Sequence, residues 1–92
     1  MDAMVRNAKD RSRYELVADG QVVAIADYAD HGDVVVLPHT EVVRHLRNQG
    51  LGAQVVQGAL DDLRAQGKRV VPACWYVREF IDGNEDYAEL VA

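Results

Sequence analysis

Residues 47–53, Arg-Asn-Gln-Gly-Leu-Gly-Ala, have the composition of a turn that holds an anion at the start of a helix. Gly50 and Gly52 let the main chain approach a ligand closely and adopt dihedral angles that other residues avoid. The next segment predicts a helix, whose first N–H groups and positive dipole end point at the same place. Arg47 adds a positive charge. These residues therefore predict a phosphate or pyrophosphate site, although similar turns also precede helices that bind nothing.

A second group of residues has the types needed to act on a substrate. Cys74 and His39 are candidates for a thiol nucleophile and its base, and Glu41 or His39 for a base that takes a proton from an amine. Each also has a structural interpretation. Cys74 fits a small buried apolar position, His39 fits a turn after Pro38, and Glu41 fits the surface. Because Cys74 is the single cysteine, an internal disulfide and a Cys-x-x-Cys metal or redox pair are excluded, and we expect no metal site.

Hydrophobic patterns predict the elements that must position these residues. Alternating and β-branched segments predict a three-stranded antiparallel meander over residues 13–18, 21–28 and 34–37. Apolar residues at steps of four predict a helix over 50–65 that Gly67 ends. A short strand over 69–73 and a second short helix ending near 82–84 come next. We expect one α/β domain over 13–92, preceded by a flexible N-terminus over 1–12.

The order strand, helix, strand places the candidate residues at one edge of the sheet. It predicts that the strands at 34–37 and 69–73 run parallel, since a helical crossover joins them. The carboxyl ends of these two strands lead into His39 and Cys74, and the anion-binding turn lies between them in sequence. Ligands of open α/β sheets bind outside the carboxyl ends of such strands. We therefore expect all three features to border one crevice.

Composition limits the class of protein. Ninety-two residues with a formal net charge of −5 fit one globular domain and argue against non-specific nucleic-acid binding, which needs a basic surface. No apolar run approaches the roughly 20 residues that span a bilayer. The charged N-terminal residues do not resemble a signal peptide. We expect a cytoplasmic protein that does not bind membranes and that is a monomer or a weak dimer.

Three segments together resemble a known family. His-Thr-Glu-Val at 39–42, the turn at 47–53, and Pro-Ala-Cys-Trp-Tyr-Val at 72–77 resemble the GNAT superfamily of acyltransferases in their order and spacing. They are most similar to its smallest single-domain members, which bind acetyl-CoA and carry an HTEV…RxxGxG…PxCxYV pattern. The resemblance covers about residues 13–91. A small nucleotide-binding protein is a further interpretation of the turn, but the Lys-Ser/Thr of a Walker motif is missing.

The resemblance implies a truncated GNAT fold with a V-shaped opening between the strands at 34–37 and 69–73. Acetyl-CoA is the implied cofactor, with its pyrophosphate on the amides of residues 49–53 and its pantetheine arm along residues 41–43. Its thioester then points toward His39 and Cys74, the implied reactive pair. The implied cofactor-binding residues are Glu41, Val42, Val43, Arg47, Asn48, Gln49, Gly50, Leu51, Gly52, Ala53 and Tyr76.

The implied activity is N-acetyl transfer to an unidentified amine or protein acceptor. Transfer is either direct, with Glu41 or His39 as base, or passes through Cys74. The alternative is a non-catalytic module that binds or senses acetyl-CoA. The sequence departs from the family at Val43, where proline is common. The first helices of larger GNAT enzymes, which form much of their acceptor site, have no counterpart in the predicted elements.

Overall fold

A single five-stranded sheet organises the chain. The computed structural model describes residues 2–92, and its strands follow chain order across the sheet. The first four strands pair with one another in antiparallel orientation. The fifth strand runs parallel to the fourth, as predicted. The strands are β1 (Ala3–Ala8), β2 (Arg13–Ala18), β3 (Gln21–Asp30), β4 (Val34–Val42) and β5 (Arg69–Val71). The predicted mixed α/β fold is confirmed.

Two α-helices lie in the second half of the chain. Helix α1 (Leu51–Ala65) connects β4 to β5, and α2 (Trp75–Gly83) comes after β5. The predicted apolar stripe of α1 is buried against the sheet. Gly67 ends this helix with a φ of +72°, and the next N–H group donates to the carbonyl of Leu63 at 3.0 Å. Three 3-10 helices complete the chain: Lys9–Arg11, Arg44–Leu46 and Glu85–Leu90.

The N-terminal segment differs from the expected flexible start over 1–12. Residue 1 lies outside the described residues, but β1 pairs with β2 along its whole length, so the meander has four strands rather than three. The physical reason is an alternation of side chains that the charged residues obscure. Ala3 and Val5 pack against the core, whereas Met4 is exposed. Val5 lies so close to α1 that a Cβ at Gly58 would stand 2.4 Å from its Cγ2 atom.

The helices cover one face of the sheet, and two tyrosines fix α1 on it. Tyr14 in β2 donates its hydroxyl hydrogen to the Asp62 carboxylate at 2.6 Å. Tyr87, in the last 3-10 helix, donates to Asp61 at the same distance. These two bonds hold α1 near its C-terminal end. No helix in residues 2–92 is long and apolar enough to span a bilayer.

The opposite face carries a buried carboxylate. The side chain of Glu15 is 0 % exposed and accepts hydrogen bonds from Arg11, Arg13 and Arg6 at distances between 2.7 and 3.0 Å. The bond from Arg11 is the largest effect on its pKa. Together with Arg13 and Arg6 it outweighs the cost of burial and lowers the pKa of Glu15 to about 2. The alternation of β2 places Glu15 on the face opposite Tyr14, but it does not show that Glu15 is buried.

A bulge interrupts β4 halfway along. Leu37 and Pro38 together lie opposite a single residue of β3, Tyr28. The extra residue changes the phase of the strand, because side chains alternate between the two faces at every position. Beyond the bulge, Thr40 pairs with Ala26 and faces the helices. His39 therefore turns to the opposite face.

Candidate functional site

A cleft opens where β4 and β5 separate. β5 pairs with β4 only over Val34–Val36, and the N–H group of Cys74 then donates to the carbonyl of Leu37 at 2.9 Å. Beyond this point β4 continues to Val42, while the other chain segment turns into α2. The gap between them has a volume of about 640 Å³. Predicted site residues that line it are His39, Glu41, Val42, Arg47, Asn48, Gly50, Leu51, Gly52, Cys74 and Tyr76.

The N-terminus of α1 forms one end of the cleft. Gly50 has a φ of +77° and Asn48 a φ of +66°, so the turn before the helix contains two residues in the left-handed region. No side chain among residues 2–92 caps the helix, and its first backbone bond runs from the N–H of Gln54 to the carbonyl of Gly50. The N–H groups of residues 51–53 are therefore available to an anion, as the composition of the turn predicts.

Gly52 is required for a different reason than the sequence indicates. Its dihedral angles are helical rather than left-handed. A Cβ at Gly52 would stand 2.8 Å from the hydroxyl oxygen of Tyr76 and 3.0 Å from its ring. Tyr76 thus lies directly across the first turn of α1. The missing side chain leaves room for the tyrosine ring against this turn.

Three predicted cofactor-binding residues do not line the cleft: Val43, Gln49 and Ala53. The N–H group of Val43 donates to the carbonyl of Val23 in β3 at 2.9 Å. This N–H group, which a proline at position 43 would lack, thus forms a hydrogen bond between the end of β4 and β3 and does not face the cleft. The edge of β4 that faces the cleft therefore ends before Val43.

Cys74 lies at the other end of the cleft. It is 9 % exposed and immediately precedes α2. Its Sγ atom lies 3.2 Å from the Oγ1 atom of Thr40 in β4. Burial raises the pKa of the Cys74 thiol, but hydrogen bonds from Thr40 and from the N–H groups of Val77 and Tyr76 outweigh this effect, and the pKa lies below its usual value.

The structure does not bring Cys74 and His39 into contact. Among residues 2–92, the hydrogen-bonding side chain at Cys74 is that of Thr40. His39 instead lies beside Glu41, with 3.8 Å between Nε2 and Oε2, and both side chains are more than half exposed. The bulge at Leu37 and Pro38 explains this arrangement, because it gives Thr40, rather than His39, the face of β4 that lies toward the helices.

Residues 13–90 match the GCN5-related N-acetyltransferase family. The chain belongs to this family. No curated protein matches the chain in sequence. The predicted resemblance is confirmed for the family and its fold. The HTEV…RxxGxG…PxCxYV pattern of the smallest members stays a prediction.

Two solved structures share the fold of this family member. One is a GCN5-like protein from Staphylococcus aureus, with a TM-score of 0.71, 13% identity, and coverage of 97% of this chain and 87% of the other. The second is the ribosomal-protein-S18-alanine N-acetyltransferase from Escherichia coli, with a TM-score of 0.66 and 21% identity. That match covers 85% of this chain but 54% of the enzyme, so the N-acetyltransferase domain described here spans about half the length of the E. coli enzyme.

Sequence reasoning missed two residues at the site of this family member. The sequence indicates Thr40 only as part of a motif, although its position after the bulge gives it the contact with Cys74. Trp75, which the sequence indicates only as part of the segment at 72–77, is 65 % exposed at the rim of the cleft. The signal for Trp75 was its place at the first turn of α2, between a buried cysteine and Tyr76. Within residues 2–92, no group of three His, Cys, Asp or Glu side chains could hold a metal ion.

Proposed function

We propose that this protein binds acetyl-CoA in the cleft between β4 and β5 and transfers the acetyl group to a primary amine. The observation that carries the proposal is the pairing of two features in one cleft. At one end are the uncapped amides of α1, and at the other is a thiol with a lowered pKa. Membership of the GCN5-related N-acetyltransferase family supports the same reaction.

The residues present fit the two polar parts of acetyl-CoA. The N–H groups of Leu51 and Gly52 and the guanidinium of Arg47 are suited to the pyrophosphate. The free edge of β4 at Glu41 and Val42 offers main-chain groups to the amides of the pantetheine arm, in the manner of an added strand. The cofactor supplies an activated acetyl group. The protein supplies its orientation toward Cys74.

In the cysteine route, the Cys74 thiolate attacks the carbonyl carbon of the bound thioester. A bond forms between the Cys74 sulfur and the acetyl carbon, and the bond to the CoA sulfur breaks, with CoA leaving as the thiolate. The amine then attacks the acetyl-cysteine. The new C–N bond forms, the C–S bond of Cys74 breaks, and the amine loses its proton to a base.

Glu41 and His39 are our candidates for that base. The Nε2 atom of His39 lies 3.8 Å from the Oε2 atom of Glu41, on the exposed side of β4, where an acceptor can reach both side chains from solvent. A direct transfer from acetyl-CoA to the amine needs the same base and does not need Cys74. The acceptor, a small amine or a protein, is not identified by the residues of the cleft.

Radiolabelled acetyl-CoA tests the proposal. We expect the wild-type protein to retain label when it is denatured directly after incubation. When a primary amine is added to the folded protein before denaturation, the protein should lose the label and the acetylated amine should appear. Cys74→Ala should bind CoA normally by calorimetry and retain no label. Acetylated amine without protein-bound label would leave the direct route. Binding without transfer to any amine would favour a non-catalytic acetyl-CoA module, and absence of binding would overturn the proposal.

A further inference from the structure

The sulfur of Cys74 is held by groups from two elements that are distant in sequence. Thr40 lies in β4, 34 residues before Cys74, and its Oγ1 atom is 3.2 Å from the sulfur. Cys74 also stands at the N-terminal end of α2, where the N–H groups of Tyr76 and Val77 turn toward it. The sulfur thus lies at the junction of the bulged strand and the helix, on the wall of the cleft.

The hydrogen bond with Thr40 depends on the charge of the sulfur. A neutral thiol can donate its hydrogen to the threonine oxygen, whereas a thiolate can only accept the hydroxyl hydrogen of Thr40. Bonds to an ionised partner are stronger than bonds between neutral groups. The Thr40 hydroxyl therefore favours the ionised form of Cys74, in the same direction as the backbone N–H groups.

We propose that Thr40 is a positioning residue, whose hydroxyl group holds the sulfur of Cys74 in the cleft as a thiolate. This inference rests on the proposed function. The sequence predicts that His39 activates the thiol of Cys74, and this inference gives that role to Thr40 instead. The bulge turns the side chain at position 40 toward α2 and the side chain at position 39 away from it.

The same contact bears on both bond changes at the sulfur. In the first step a thiolate must be present to attack the acetyl carbon, and the CoA sulfur leaves with the electron pair. In the second step the C–S bond breaks and its electrons return to the Cys74 sulfur, while the proton of the amine goes to the base. A hydroxyl that donates to this sulfur stabilises the charge before the first step and after the second.

Other ionisable groups near the cleft act from different positions. His39 and Glu41 lie on the opposite face of β4, Arg47 lies at the α1 end, and α2 adds Arg78 and Glu79, which are exposed. None of them hydrogen-bonds the sulfur among the described residues. Thr40 is therefore the side chain whose removal should change the titration of Cys74 most.

The test is the rate of Cys74 alkylation by iodoacetamide as a function of pH. The variants are Thr40→Val, which keeps the shape and removes the hydroxyl, and Thr40→Ser, which restores it. We expect the midpoint to rise by about one pH unit in Thr40→Val and to return to the wild-type value in Thr40→Ser. His39→Ala is the matched control from the other face, and its midpoint should stay at the wild-type value. Circular dichroism confirms that each variant is folded.

The outcomes separate this inference from the proposed function. An unchanged midpoint in folded Thr40→Val, or a shift in His39→Ala as large as that in Thr40→Val, would overturn the role of Thr40. Protection of Cys74 by added CoA reports on the proposed function instead, and it should persist in Thr40→Val. If Thr40→Val does not fold, Thr40→Ala and Thr40→Ser carry the same comparison, with a raised midpoint expected only in the alanine variant.

Discussion

Glu15 and Cys74 are two buried ionisable groups on opposite faces of one sheet, and their surroundings differ in kind. Glu15 is closed off by three arginine side chains, which satisfy its carboxylate completely. Within residues 2–92, Cys74 has one side-chain partner, Thr40, and its remaining polar neighbours are main-chain groups at the edge of an open cleft. A group whose charge the protein matches by itself stabilises the fold. A group beside unfilled space and free donors is available to a ligand.

The source of the hydrogen-bond donors makes the same distinction. The arginines around Glu15 belong to β1, β2 and the 3-10 helix between them, so the cluster fastens the N-terminal edge of the sheet. The donors around the cleft are helix N-termini, whose positions are fixed by the fold and which cannot turn away from a ligand. Substitutions in the two regions should therefore separate stability from cofactor binding.

The largest effect is expected from Glu15→Gln. The amide cannot match three guanidinium groups, and we expect the free energy of unfolding to fall by about 3 kcal/mol. Glu41→Gln is the matched control, because Glu41 is exposed, and it should change stability by less than about 0.5 kcal/mol. Urea denaturation measures both. The contrast between the two regions fails if Glu15→Gln keeps wild-type stability, or if its folded fraction loses affinity for CoA.

Gly52→Val should produce the next largest effect, on binding rather than on stability. The new side chain clashes with Tyr76, which lines the cleft, and crowds the first turn of α1. We expect the affinity for CoA to fall by about 2 kcal/mol, roughly 30-fold, by calorimetry. Gly58→Ala in the same helix is the control. The new methyl group contacts Val5 in β1 and lies away from the cleft. The free energy of unfolding should fall by about 1 kcal/mol, and the affinity for CoA should not change. Equal affinity of wild type and folded Gly52→Val would contradict the anion site.

Acidification should act on the same arginine cluster, through protonation of Glu15. The pKa of Glu15 is about 2 in the folded protein, against an ordinary value of 4.5, so the unfolded chain takes up the proton first as the pH falls. The contribution of Glu15 to stability is complete above pH 4.5 and is lost progressively toward pH 2. Urea denaturation over this range should show a decrease that is reduced in Glu15→Gln. Parallel curves for the two proteins would show that the arginine cluster does not set the acid stability.

The smallest effect is expected for cofactor affinity in Glu41→Gln. If the pantetheine arm pairs with the main chain of β4, the side chain at this position contributes little, and the affinity should change less than about twofold. Calorimetry with CoA measures it. A loss of about tenfold or more would mean that the carboxylate itself contacts the cofactor, and the pairing along β4 would have to be replaced.

Local patterns predicted most of the fold. The alternation of β2, the apolar stripe of α1 and the C-terminal glycine at position 67 each depend on neighbours in sequence, and each is confirmed. β1 was missed because its signal is an alternation of small residues among charged ones. The contact of Val5 with α1 is what turns one side of that alternation toward the core. Such a contact joins residues that are far apart in the chain, and no local pattern shows it.

The sequence predicted which residues lie near the cleft better than it predicted which of them are in contact. The sequence brought the turn at 47–53, residues 39–42 and Cys74 to one cleft, where the structure also places most of them. It could not assign the partner of Cys74, because that depends on which way each side chain of β4 points. The bulge at Leu37 and Pro38 decides this, and a proline in an apolar run does not reveal the phase of the strand beyond it.

The bulge also bears on how this site can change over evolutionary time. Loss of the single codon for Pro38 would remove the extra residue, but His39 would stay opposite Asp27 and Thr40 opposite Ala26, so both side chains would keep their faces. One deletion would then leave a regular strand without exchanging the chemistry of the two faces. A regular strand that kept all of its residues would instead turn His39 and Glu41 toward the apolar interior and Thr40 away from Cys74.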